Sequence, residues 1–160
     1  MKNVTVAYIL SFLWRSWFWL GIWIFYYLKF TDYAGVGFLE AVMITTATIG
    51  EIPTGAIADM VGKKKAVVVA FIISGLGNLL MALAPNYSVL LASIVMMTLG
   101  GCFYSGSLEA LVYDGLKQEG KAGIFDKVVS RMNTMQNLGM AISGAVGGYL
   151  YTINNSLPFV

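Results

Sequence analysis

Long apolar runs alternate with short polar turns along the whole chain. A helix needs about 20 predominantly apolar residues to cross the hydrocarbon core of a bilayer. The pattern predicts five such spans, at 6–30, 36–58, 66–84, 87–113 and 128–153. The separators have turn chemistry: Thr31-Asp-Tyr-Ala-Gly35, the stretch 59–65, Pro85-Asn86, and a polar segment over 114–127. No linker or low-complexity segment interrupts the series, so residues 1–160 read as one all-α membrane domain. After the fifth run, Asn154-Asn-Ser-Leu-Pro158 reads as a turn leading into another apolar segment. The expectation is therefore a piece of a larger helical bundle.

Composition points to the same solvent. Of 160 residues, 58% are hydrophobic and only 11% charged, and the mean hydropathy is +0.75. A water-soluble domain of this size would leave much of that surface uncovered, whereas lipid accommodates it. The net charge of +2 gives no reason to expect a nucleic-acid partner. If the spans alternate, Lys2, Lys63, Lys64, Lys65, Lys117, Lys121, Lys127 and Arg131 fall on one side and only Lys29 on the other. The positive-inside rule then puts the N-terminus in the cytoplasm, for a multi-pass protein of the cell's inner (cytoplasmic) membrane.

The turn after the second span carries the most specific pattern: Gly55-Ala-Ile-Ala-Asp59-Met-Val-Gly62-Lys63-Lys64-Lys65. It resembles the loop between helices two and three of the major facilitator superfamily, G-x-x-x-D-(R/K)-x-G-(R/K)-(R/K). Its place between the second and third spans, the tight hairpin at Pro85-Asn86 and the longer polar loop before the fifth span also match that family's N-terminal half. The resemblance implies a transporter of two six-helix halves around a central cavity, of which this chain supplies about five helices of twelve. It also implies a gating loop, made here of Gly55, Asp59, Gly62, Lys63 and Lys64, with Asp114 placed to pair with a loop lysine. Gly55 would let another helix approach, Asp59 would accept from N–H groups at a helix start, and Gly62 would permit the turn. Met60 departs from the family's basic residue after the Asp, and Lys63 stands where Arg is commoner, which loosens any charge relay. In the fifth span, Gly139-Met-Ala-Ile-Ser143-Gly144-Ala-Val-Gly147-Gly148 is similar to the family's antiporter motif without its proline, leaving Gly144 and Gly148 in a GxxxG packing relation.

Ionisable groups inside a bilayer are costly and need a reason. Arg15, Glu51 and Glu109 fall within the predicted spans. Thr98, Cys102, Ser105 and Glu109 are spaced to share a face of the fourth span. Tyr8, Ser11, Arg15, Trp19, Ile22 and Tyr26 form a similar stripe on the first. The candidate substrate or proton site is accordingly Arg15, Glu109, Glu51, Ser105, Trp19 and Tyr26. Each also admits a structural role: Arg15 can snorkel to the surface, Glu109 can pair with a basic neighbour, and the polar faces can simply satisfy packing.

With no histidine, no nucleophile elbow and no metal-ligand cluster, the sequence gives no catalytic residue, no metal site and no cofactor. No phosphate-binding loop of the G-x-x-x-x-G-K-(S/T) kind is present, so an ion gradient is the expected energy source. The function this implies is secondary active transport of a small organic solute by alternating access, with export of amphipathic compounds favoured over metabolite uptake. The expected partners are the solute, the lipid bilayer, and either a C-terminal half or a second copy of the chain. A non-transporting scaffold or sensor on the same fold is the rival from another class.

Overall fold

The computed structural model describes residues 2–159; the side chains of Lys2 and Asn3, and Val160, lie outside the description, and with them the Lys2 side chain of the charge count. Seven α-helices follow in order: α1 (Lys2–Trp14), α2 (Trp23–Tyr27), α3 (Tyr33–Val61), α4 (Lys63–Ala82), α5 (Tyr87–Tyr104), α6 (Ser107–Gln118) and α7 (Phe125–Ile153). Short 3₁₀ turns occupy Ala122–Ile124 and Leu157–Phe159, and no strand occurs among the described residues. Three stretches are long and apolar enough to cross a membrane: Tyr33–Val61, Lys63–Ala82 and Tyr87–Gln118. The helix α7 has the same length as α3, but Asp126, Lys127, Arg131, Asn133 and Asn137 make its first half polar.

Local chemistry accounts for most boundaries. Asp32 caps α3 by accepting from the Gly35 N–H at 2.9 Å, and Asn86 caps α5 by accepting from the Val89 N–H at 3.1 Å. Gly62 is the sole residue between α3 and α4, with a φ of 93° that side chains disfavour. The loop expected over 59–65 is thus a one-residue joint. Asp59 belongs to the last turn of α3, and the three lysines open α4.

Two expected spans are not continuous. The first ends as a helix at Trp14 and resumes only at Trp23. The fourth breaks at Ser105-Gly106, where Gly106 takes a φ of 70°. The second break has a local cause, a Ser-Gly pair that favours a turn. The first lies against α7. A Cβ at Gly139 would meet the Phe12 carbonyl oxygen at 2.5 Å, and one at Gly147 would fall on the Phe18 carbonyl. Gly139, Ser143 and Gly147, at steps of four, form the buried stripe by which α7 approaches the first segment's backbone. In the GxxxG pair expected from sequence, Gly144 and Gly148, neither would place a Cβ within 4 Å of a neighbour, although the Gly144 carbonyl lies near Gly21 of the first segment.

The tightest helix pair is α4 with α5, antiparallel across the Pro85-Asn86 turn. Gly77 lies against Met97, and Gly100 against the Ser74 backbone and hydroxyl. Two buried apolar clusters form at opposite ends of the bundle. One gathers Tyr26, Tyr27, Leu39, Met81, Leu90 and Phe159; the other Ala7, Val67, Leu108, Leu116, Val128 and Met132. The cavity described below is lined by the middles of the helices that run between these clusters. Outside, α3 is the barest element: Ile49, Ile52 and Met60 are 68%, 82% and 86% exposed. Such apolar exposure suits a lipid solvent or a further helical layer.

Replacing Gly147 with Ala is expected to cost about 1–3 kcal/mol, the usual penalty of overpacking. Gly148→Ala should stay within about 0.5 kcal/mol of the parent. Thermal unfolding in detergent, followed by monodisperse elution, checks both.

Candidate functional site

A cavity of about 790 Å³ opens between the end of α1, the unwound segment that follows it, α3, α4 and α5. Its wall includes every residue from Leu13 to Trp19, the outer turns of which would otherwise expose bare backbone to lipid. The unwinding is capped from within. The Ser16 hydroxyl donates to the Phe12 carbonyl at 2.8 Å, and the Trp17 indole N–H donates to the Trp14 carbonyl at 2.9 Å. Backbone turns Leu20 N–H to Trp17 O and Ile22 N–H to Trp19 O, both 3.0 Å, carry the chain round. Several released carbonyls of a helix end are thereby satisfied without water.

Aromatic rings frame the cavity. Trp14 stacks on Tyr104 with centroids 3.9 Å apart and planes within 3°, and meets Phe71 edge-on at 5.2 Å. Trp17 and Trp19 stack at 5.3 Å, and the Arg15 guanidinium sits 4.6 Å from the Trp17 ring centre. From α3 come Met43, Thr48 and Glu51; from α4, Ser74 and Asn78; from α5, Met97, Thr98 and Cys102. Cys102 packs on Gly50 and directs its thiol to the Ala47 carbonyl at 3.7 Å, which joins α5 to α3. Three buried hydroxyl oxygens lack a hydrogen-bond partner among the described residues: Ser11, Ser74 and Tyr104. Of these, Ser74 is on the cavity wall. Orphaned polar atoms of this kind mark a place that water or a ligand completes.

The structure divides the sequence candidates. Arg15, Glu51 and Trp19 share the cavity wall. Ser105 and Glu109 do not: Ser105 is exposed at the break in the fourth span, and Glu109 is exposed in the first turn of α6. The break shifts the register that spacing alone would have carried from Cys102 to Glu109. Tyr26 is buried, 3% exposed, and donates to the Met81 carbonyl at 2.7 Å, so it belongs to a core and not to the cavity. Asn78 bonds its own helix, donating to the Ser74 carbonyl at 2.9 Å. The signal sequence reasoning passed over is the unbroken run Leu13–Trp19: a helix would scatter these residues around its circumference, whereas unwinding turns them together.

At the end where α3 meets α4, Lys63 Nζ and Asp114 Oδ2 form an ion pair at 2.8 Å, joining α4 to α6. Lys64 and Asp59 are exposed and make no side-chain bond among the described residues, and no neighbour comes within 4 Å of a Cβ built at Gly55. Neither the helix approach expected at Gly55 nor the helix-start acceptor expected of Asp59 is present within this chain. Three lysines in the first turn of α4 oppose its dipole, so helix stability does not explain them. Further along, Lys121 bonds Glu119 at 2.8 Å and holds that carboxyl below the usual carboxylate range. The described residues contain no group of His, Cys, Asp and Glu that could hold a metal.

Helices long enough to span a bilayer, packed beside an unwound segment that lines a largely apolar cavity, define an all-α membrane protein. Residues 4–159 match the family model of the Major Facilitator Superfamily, and the chain belongs to that family. Among curated proteins it is 25% identical over 140 residues to the "Uncharacterized MFS-type transporter YxaM" of Bacillus subtilis (strain 168), covering 87% of this chain and 34% of that protein. It is 26% identical over 105 residues to the "Quinolone resistance protein NorA" of Staphylococcus aureus (strain MRSA252), covering 66% of this chain and 26% of that protein. The chain therefore spans about a third of the length of the first relative and about a quarter of the second.

A double-mutant cycle on Lys63 and Asp114 is expected to give a coupling of about 0.2–1 kcal/mol, since the side chains are 33% and 47% exposed. The coupling should shrink in high salt, as measured by unfolding at two ionic strengths.

Proposed function

We propose that this chain is part of a secondary active transporter that moves a small organic solute by alternating access. The observation that carries the reading is the cavity of about 790 Å³, a size that suits a small organic ligand, placed where a membrane helix unwinds. Aromatic and methionine side chains supply an apolar wall, and Arg15 and Glu51 supply charge. A rocking mechanism needs a second set of helices to close the pore. Exposed Ile49, Ile52 and Met60 on α3, and the uncovered Gly55–Asp59 face beside them, are the surface we assign to it, met by a C-terminal half or a second copy. The N-terminus faces the cytoplasm in this reading, with Lys63, Lys64 and Lys65 at the anionic inner surface of the cell membrane.

Gly62, Lys63 and Asp114 then act as part of a gate. The Lys63–Asp114 pair ties α6 to the start of α4 and is free to exchange partners as the halves rock. An ion gradient drives the cycle, with Glu51 as the proton-handling group on the cavity and Glu109 as a second, outside it. The name of the NorA relative speaks of quinolone resistance, and this favours export of amphipathic compounds over uptake here.

Gly75 and Gly101 line the cavity and have nothing within 4 Å of a built Cβ. Filling the cavity through Gly75→Phe or Gly101→Phe is expected to cut solute flux at least about tenfold in proteoliposomes while insertion and thermal stability hold. Gly37→Phe, on an exposed part of α3 away from the cavity, should leave flux near the parent value. Equal flux in all three variants would sink the transport reading of this cavity.

A further inference from the structure

The cavity wall carries two charged side chains, Arg15 and Glu51, and they are of opposite sign. Both lie deep. Glu51 is ten residues before the end of α3 at Val61, roughly 15 Å along a helix axis, and Arg15 follows the last residue of α1, whose 13 residues span roughly 20 Å. Neither forms an ion pair with any described residue, and they do not pair with each other. Arg15 rests on the Trp17 ring, which leaves the edge of its guanidinium fork open for an acceptor.

An arrangement built only for stability would bring these two groups together, because an uncompensated ion at membrane depth is strongly unfavourable. Unpaired on one cavity wall, they can be satisfied by water or by a ligand that bears both signs. A ligand with a single charge displaces water from both groups and compensates only one. An uncharged ligand compensates neither. The remaining polar side chains carry no charge to change this balance: the Thr48 and Thr98 hydroxyls are committed to the Ile44 and Ile94 carbonyls at 2.9 and 2.7 Å, and Ser74 offers only a neutral hydroxyl.

We propose that the solute bound in this cavity is a zwitterion with an apolar or aromatic body, its anionic group held by Arg15 and its cationic group by Glu51. This rests on the transporter reading for its biological meaning, but the binding preference is measurable apart from transport. The body would lie among Trp17, Trp19, Phe71 and Met97, which line the same cavity.

The test uses the protein of the full reading frame in nanodiscs and two probe sets that share a ring and differ in charge. One is tryptophan, tryptamine and indole-3-propionate; the other is phenylalanine, phenethylamine and 3-phenylpropionate. In at least one set the zwitterion is expected to bind about tenfold or more tighter than either singly charged analogue, the ratio expected from one charge-assisted bond. Arg15→Gln should bring the zwitterion down to the level of the amine, and Glu51→Gln to the level of the acid, while Arg15→Lys restores part of the gap. Elution profile and melting temperature confirm that each variant is folded. Singly charged analogues binding as tightly as the zwitterion in both sets would overturn the proposal, as would variants that leave the order unchanged. Zwitterion preference without any flux in proteoliposomes would uphold this inference and defeat the transporter reading. Flux of singly charged solutes with no such preference would do the reverse.

Discussion

A backbone carbonyl released inside a hydrocarbon layer has no water to turn to, and much of this structure follows from how that demand is met. The first segment unwinds between Trp14 and Trp23, and several of its carbonyls are taken up by Ser16, by the Trp17 indole and by successive tight turns. What remains is enclosed by α7, whose glycines bring one backbone against another. Close packing and an irregular segment are therefore one feature. Without the Gly139–Gly147 stripe, the unwound chain would have to sit further from α7 and open toward lipid.

That irregular segment also brings polar groups to a largely apolar cavity. Unwinding turns a run of consecutive side chains inward, so that Arg15, Trp17 and Trp19 face the same space as Glu51, Ser74 and Thr98. The two buried clusters at either end hold the helices in register around it, and the stacked Trp14–Tyr104 pair closes it toward the fourth span's break. A cavity with opposite charges, an aromatic frame and an orphaned hydroxyl at Ser74 is a sparse set of features, but each constrains what could occupy it.

Much of the architecture was legible in the sequence, because lipid imposes a simple rule on length and composition. Asp32, Asn86 and Gly62 act where turn and cap chemistry put them. The Lys63–Asp114 contact followed from placing two polar ends on the same side of the bundle. The break at Gly106 had a local signal in its Ser-Gly pair, and reading through it carried Glu109 onto a face it does not occupy. The break after Trp14 had none, and the unwound chain there packs against a glycine stripe more than a hundred residues away along the chain. Spacing arguments hold only while one helix continues; Tyr26 and Glu109 both lie beyond an interruption that periodicity does not register.

The joint at Gly62 has a mechanical consequence. With a single residue between two long helices, α3 and α4 share one pivot and have no slack to slide past each other. Lys63 is the next residue, so α6 is tethered at the pivot itself and not part-way along either arm. A pull delivered there has almost no lever to bend α4. What it can do is set the angle at which the two arms open, much as a stay fixed at a hinge governs the hinge and leaves the door flat.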